Sequence, residues 1–476
     1  EYFDWSKNLQ DGSIEQRLRE AFTVAGYIFF LNCEQAQRYR IFMYSSIDPQ
    51  TVAPMGIHAF SDMDALLKAA EIHLYHSQRV HRDPPGERRN AMRPVKSYIA
   101  KRFQNSDAGL SLDTDALARY SDIIDLSIGD TDFITDDAII DTAFREAKAG
   151  YTHYGDPKGD PELIRSVCDA WQTDFKQPLS PDHVLVTASS SMGMALVMLS
   201  VLDPGDEVIV FSPYFSLYRT QAELAGGVCV EVPTYASEGW AIDEARLRAA
   251  ITPRTKLIVF NNPCNPTGMG YDRSTLELLG RVAEEHDLLI VADEIYTTYL
   301  YEGDFIPIRT IPGLAHRVIT LNSFSKNFLM TGWRVGVAIA EPEILEVMSN
   351  INNSLIYTAP SISQRAAIQA LAIRQTIREK YVLAYRDRIF YAADRMEQIP
   401  YLSLVRPKGT FYLFPGIEKT GLSAEDFCQA LLERAHVLVT PGTLFGSTGA
   451  GHFRIACTVG LDRLKEAFDR MEGLSF

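Results

Sequence analysis

At 476 residues the chain is too long for one simple core, which predicts two or three domains. Its 46% hydrophobic and 22% charged residues are those of a soluble globular protein, and no apolar run approaches the ~20 residues that cross a membrane. The net charge is −15, but residues 1–110 carry 14 Lys/Arg against 13 Asp/Glu, so the rest of the chain is acidic. That argues against nucleic-acid binding and for a small-molecule enzyme.

The first 82 residues read as an accessory α-β-β-α unit. A helix opens at Ser13 with Gln16 three residues on, and a second opens at Ser61 and runs to about residue 81. Between them, residues 27–32 and 39–44 are aromatic-rich strand candidates joined as a hairpin. No basic-then-apolar leader precedes 27–31. Asp83-Pro84-Pro85-Gly86 breaks the pattern, and residues 79–102 then hold eight Lys/Arg. This unit is expected to shape substrate access, its arginine-rich exit favouring an anionic or bulky substrate. A dimer-stabilising appendage is the alternative.

From about residue 120 strands alternate with helices. Seven apolar runs, at 183–189, 207–213, 228–234, 256–262, 288–294, 317–323 and 334–340, are apolar on both faces, as strands covered by helices on both sides are. In such α/β folds ligands sit beyond the carboxyl ends of the strands. A helical region from 361 to 398 leads to short strands at 409–414, 437–440 and 452–456. The six cysteines, at 33, 168, 229, 264, 428 and 457, form no C-x-x-C pair, which fits a reduced cytoplasmic protein without a metal site.

The stretch S-F-S-K-N-F-L-M-T-G-W-R at 323–334 carries the chemistry. A lysine ending a buried strand, flanked by hydroxyls and followed eight residues on by an arginine, suits one task. Lys326 would hold an aldehyde cofactor as a Schiff base, while Ser323, Ser325 and Arg334 would help to hold its phosphate. Two further motifs close neighbouring strands: N-P-C-N-P-T-G at 262–268 and D-E-I-Y at 293–296.

Together these motifs resemble the fold-type-I pyridoxal-phosphate enzymes, specifically the class I/II aminotransferases, over roughly 95–476. The resemblance implies a three-layer α/β fold with a mostly parallel seven-stranded sheet. It places a linker and the start of a small domain at 83–145, a large cofactor-binding domain at 146–345 and the rest of the small α+β domain at 346–476. The cofactor would be pyridoxal 5'-phosphate. Asp293 would keep its ring nitrogen protonated, Asn265 and Tyr296 would bond its phenolic oxygen, and Phe215 would stack on its ring. Lys326 would also move the proton between the substrate Cα and the cofactor. Ser189, Ser190 and Ser191, where a strand turns into a helix, would meet the phosphate, with Ser189 standing where the family usually has glycine. Tyr154 matches a tyrosine that reaches the phosphate of a neighbouring subunit, which implies a homodimer with shared sites. Arg454 and the backbone of Gly129 would bind the substrate α-carboxylate, with Asn265 beside them.

The implied activity is transamination of an amino acid. Asn353 and Ser354 stand where dicarboxylate-specific members carry a second arginine, so aspartate and glutamate are not the expected donors. A second enzymatic reading keeps the same core but performs β/γ-elimination, cyclisation or carbon–carbon bond formation, as in the similar aminocyclopropane-carboxylate synthases that act on S-adenosylmethionine. A third, a transcription regulator with a DNA-binding head, requires a basic helix-turn-helix that residues 1–110 do not offer.

Overall fold

A computed structural model describes residues 41–44, 57–60, 98, 100 and 119–476. The chain divides into two compact units, Glu1–Ser106 and Asp107–Phe476. In the first, β1 (Ile41–Tyr44) pairs with β2 (Ile57–Phe60) in parallel, Ile41 opposite Ile57. The expected strand at 39–44 is therefore present. Its partner β2 is a strand that the sequence pattern does not announce, because four residues are too few to establish a period. The expected strand at 27–32 and the helices from Ser13 and Ser61 lie outside the described residues.

Among its described residues the second unit begins its sheets with β3 (Ile124–Asp125) and contains a seven-stranded sheet built from every one of the seven apolar runs. These strands are β4 (Val184–Thr187), β5 (Glu207–Ser212), β6 (Val228–Pro233), β7 (Thr255–Asn261), β8 (Leu289–Asp293), β9 (Val318–Ser323) and β10 (Gly336–Ile339). Their order across the sheet is β4-β10-β9-β8-β7-β5-β6. All neighbours run parallel except β10, which is antiparallel to both β4 and β9. Helices on both faces bury the strands almost throughout, and only the edge strand β6 is largely half-exposed. At the opposite edge, the Lys158 carbonyl accepts the Val186 N–H at 2.9 Å, so that β4 is not left open. The helix Ser190–Val201 is apolar on nearly every side and is buried between the sheet and the helix Pro342–Leu355.

One direction in this sheet decides the site. The parallel strands β5, β7, β8 and β9 all deliver their carboxyl ends to one edge. Because β10 is reversed, its first residue, Gly336, lies opposite Ser323 at the end of β9 and opposite Thr187 at the end of β4. Arg334, two residues earlier, is thereby brought to the same edge.

The C-terminal part is smaller. Here β11 (Tyr412–Leu413), β13 (Thr440–Pro441) and β14 (Phe453–Ala456) form an antiparallel sheet in the order β11-β14-β13, while β12 (Val437–Leu438) pairs in parallel with β3. Phe427, Phe453, Phe468 and Ile389 fill the core beneath. The β3–β12 pairing draws residues 127–130 across the sheet edge. Helices Ser361–Ala372 and Leu383–Gln398 flank a π-helical turn, Arg378–Val382. Among the described residues no helix is long and apolar enough to cross a membrane.

Candidate active site

At the carboxyl edge of the sheet lies a cavity of about 500 Å³, within the range of small-molecule sites. It is lined by Gly129, Ser189, Ser190, Ser191, Phe215 and Asn265 on one stretch of wall, and by Asp293, Tyr296, Ser323, Ser325, Lys326, Arg334 and Arg454 on another. The fold thus gathers all of the predicted site residues except Tyr154. That side chain is 86% exposed, with its ring against Tyr357, and does not line this cavity.

Lys326 sits in a four-residue helical turn, Phe324–Asn327, capped by Ser323, whose hydroxyl accepts the Ser325 N–H at 3.1 Å. The Tyr299 hydroxyl holds the Lys326 carbonyl at 2.9 Å. The lysine Nζ donates to the Gly129 carbonyl. Burial pushes its pKa down to about 8; Asp130 opposes that shift, and the charges of Arg454 and Arg334 add to it. A useful fraction of free amine is therefore present near neutrality.

Asp293, the last residue of β8, is 6% exposed. Its Oδ2 accepts the hydroxyl proton of Tyr218, while Oδ1 is buried with no hydrogen-bond partner among the described residues. Burial raises its pKa to about 6, against the Tyr218 and Ile295 hydrogen bonds that favour the anion. A buried carboxylate oxygen without a donor is costly, so the site calls for one from a ligand.

Arg454 on β14 is buried and joins no ion pair among the described residues. Its Nη1 donates to Asn265 Oδ1 at 3.1 Å and its Nη2 to the Ser127 carbonyl at 2.5 Å, while Nε has no partner. The rings of Tyr412 and Phe445 stand 4.6 and 4.8 Å from the guanidinium carbon. A buried guanidinium with no acid beside it is matched by a planar carboxylate.

The remaining wall collects donors for an anion. The helix Ser190–Val201 begins there, and Arg334 stands nearby, its Nη1 donating to the Thr331 carbonyl at 2.7 Å. The approach is close: a Cβ at Gly336 would lie 2.8 Å from the Ser190 nitrogen. Ser189 caps the helix, its hydroxyl accepting the Met192 N–H at 3.2 Å, and has φ 93° and ψ 159°, a region that is essentially glycine's.

The family model described as aminotransferase class I and II matches residues 121–471. The chain belongs to this family. Its members depend on pyridoxal 5'-phosphate, and this protein is a pyridoxal-phosphate-dependent transferase. Among the relatives of this aminotransferase is the aspartate/prephenate aminotransferase of Thermus thermophilus, 36% identical over 353 residues, 73% of this chain and 90% of the relative. Another is the arginine–pyruvate transaminase of Pseudomonas aeruginosa, 34% identical over 359 residues, 75% of this chain and 91% of the relative. The solved structure of Thermus thermophilus aspartate aminotransferase with maleate superposes with a TM-score of 0.74 at 34% identity, covering 80% of this chain and 99% of that one. These names favour amino-group transfer over elimination or cyclisation.

The residues present fit the cofactor. Asp293 Oδ1 lacks the donor that a protonated ring nitrogen supplies, and the serines, helix start and Arg334 suit a phosphate. Four residues of the site escape the sequence motifs. Tyr218 holds Asp293, and it lies three residues past Phe215 at the start of a helix, so that one turn presents both. Asn261 Nδ2 donates to the Asp293 carbonyl at 2.7 Å, and its Oδ1 accepts the Asn265 N–H at 2.6 Å. The Tyr412 hydroxyl meets that of Tyr296 at 3.1 Å, and Gln221 Nε2 donates to the Ser191 carbonyl at 2.8 Å. Only the Asn261-Asn262 repeat ahead of the N-P motif, and the spacing of Tyr218, could have signalled them.

Proposed function

We propose that this aminotransferase moves the amino group of a non-dicarboxylic amino acid to a 2-oxo acid at the cavity between β8, β9 and β14. The observation that carries the reading is the juxtaposition in one cavity of a buried lysine of lowered pKa with a buried arginine that has no acidic partner among the described residues. Bound pyridoxal phosphate supplies an aldehyde for the amino group and a ring that takes up the electron pair left as Cα loses its proton. Lys326 Nζ is the amine that would hold the aldehyde and, once displaced by the substrate, the base that takes the Cα proton and returns it. Asp293 would hold the proton on the ring nitrogen, and Tyr218 holds Asp293. Asn265 and Tyr296 would bond the phenolic oxygen, Phe215 would cover the ring, and Arg334, Ser189, Ser190, Ser191, Ser323 and Ser325 would retain the phosphate. Arg454 fixes the α-carboxylate with the backbone of Gly129, which orients the Cα–H bond toward the lysine.

The basic side chains lining the cavity are Lys326, Arg334 and Arg454, and each has a task already. Among the described residues no further cation lines the cavity for a second carboxylate, and Asn353 and Ser354 stand where a second arginine would, which supports a donor other than aspartate or glutamate. Tyr154, exposed beside the exposed Tyr357 and Ile356, supports a homodimer in which this tyrosine serves the partner's phosphate. The scattered cysteines support a cytoplasmic enzyme, and five of the six, all outside residues 1–118, are free.

The test is a panel of amino acids mixed with the loaded enzyme without any acceptor. A single equivalent of 2-oxo acid per site, with no ammonia, is expected. Continued turnover without acceptor, releasing ammonia or a cyclised product, would overturn the reading.

A further inference from the structure

Between β13 and β14 the chain passes through two short 3-10 turns, Gly442–Phe445 and Ser447–Gly449. Leu444 lines the cavity, and the fully buried Phe445 is one of the two rings against the Arg454 guanidinium. The other side of this segment is fastened to the ends of β5 and β6. The Tyr214 N–H donates to the Phe445 carbonyl at 2.8 Å, and the Thr448 N–H donates to Ser212 Oγ at 3.1 Å. The hydroxyls of Ser212 and Thr448 meet at 2.8 Å, and the Ser447 N–H donates to Glu231 Oε2 at 2.9 Å. Glu231 is itself held, its Oε1 accepting from the Tyr214 hydroxyl at 2.9 Å and from Arg219. Gly446 permits this approach: its φ is 103°, and a Cβ there would lie 2.6 Å from Ser212 Oγ.

We propose that the 442–449 segment is a strap through which Glu231 and Ser212, as positioning residues, set the packing of Arg454 against the substrate carboxylate. Of the two rings that flank the guanidinium, Tyr412 belongs to the same small sheet as Arg454. Phe445 is the one tied to β5 and β6, so the strap couples the arginine's plane to the sheet that carries Asp293 and Lys326. A planar fork recognises a carboxylate through two parallel bonds, and a tilt of its plane weakens both. The proposal rests on reading Arg454 as the carboxylate site.

The experiment compares Glu231→Gln, Thr448→Val, the double variant Ser212→Ala/Glu231→Gln, and Arg454→Lys. An amide accepts on one side only, so Glu231→Gln loses either the Ser447 bond or the Arg219 side. Thr448→Val alters a half-exposed loop and leaves the sheet intact. Steady-state KM and kcat are measured with the best amino acid, and Ki with propionate as a simple carboxylate probe. The double variant is expected to raise both KM and Ki about tenfold, the effect of one lost charge-assisted hydrogen bond, with kcat within about twofold and cofactor affinity unchanged. The single variants should show smaller changes in the same direction. An unchanged Ki in the double variant and in Thr448→Val, alongside a raised Ki in Arg454→Lys, overturns the strap alone. A Ki unchanged in Arg454→Lys overturns the carboxylate reading and the strap with it. Equal losses of Ki, kcat and cofactor affinity would show general loosening and also overturn the strap.

Discussion

Replacing Asp293 with asparagine separates the cost of this carboxylate to the fold from its use to the chemistry. Burial holds the carboxyl pKa at about 6 against an ordinary value of 3.8. At ~1.4 kcal/mol per pH unit, keeping the group ionised in the folded apoenzyme costs about 3 kcal/mol. An asparagine carries no such charge, though its amide N–H₂ would sit unpaired where Oδ1 now sits, at a cost of about 1 kcal/mol. Because the folded pKa is raised, the penalty on the wild type is absent below pH ~4. It grows as pH climbs through 4 to 6 and is constant above that. The apo variant should therefore gain on the wild type between pH 4 and 6 and stay about 2 kcal/mol more stable from there to pH 7.5. Its turnover should fall about 30- to 150-fold, the 2–3 kcal/mol of a charge-assisted bond to the ring N–H. Urea unfolding of the apoenzyme across that pH range and kcat at pH 7.5 measure the two effects. An apo variant less stable than wild type at pH 7.5, or turnover within a few-fold of normal, would refute the reasoning.

Lys326→Ala should abolish borohydride-fixed cofactor on that peptide and lower turnover by about 10²–10⁴-fold from lost proton transfer alone; label on another lysine would refute it. In the wild type, the rate of cofactor capture by the apoenzyme should rise as pH passes through about 8, because burial puts the free amine within reach there, and a rise only near 10 would contradict that environment. Ser189→Gly should stabilise the apoenzyme to urea, since relief of about 1–3 kcal/mol of backbone strain exceeds the few tenths lost with the cap. Ser189→Ala keeps the strain, loses the cap and should destabilise by about 1 kcal/mol; a glycine variant less stable than wild type would argue that the turn is unstrained. Light scattering should give twice the 53.3 kDa chain mass, and Tyr154→Phe should weaken cofactor affinity about tenfold. A fully active monomer would refute shared sites.

The sequence by itself determined which segments form the main sheet and named most of the residues that line the cavity. Apolar runs on both faces are legible because strands covered on both sides exclude charge, and all seven became strands. Lys326, Asp293, Asn265 and Arg334 are legible because each lies within a few residues of a strand end, where local chemistry and position coincide. What brings them together is not local. Arg334 reaches the cavity only because β10 runs against its neighbours, and strand direction follows from the whole chain's path and not from the residues of the strand. Gly129 and Ser127 come to the cavity through the pairing of β3 with β12, more than 300 residues apart in sequence. Tyr218, Asn261 and Tyr412 act through partners distant in sequence, and only the packing around Arg454 shows that no acid beside it is present among the described residues. Hydrogen bonds and desolvation are set by what packs around a group, and only the tertiary structure decides that.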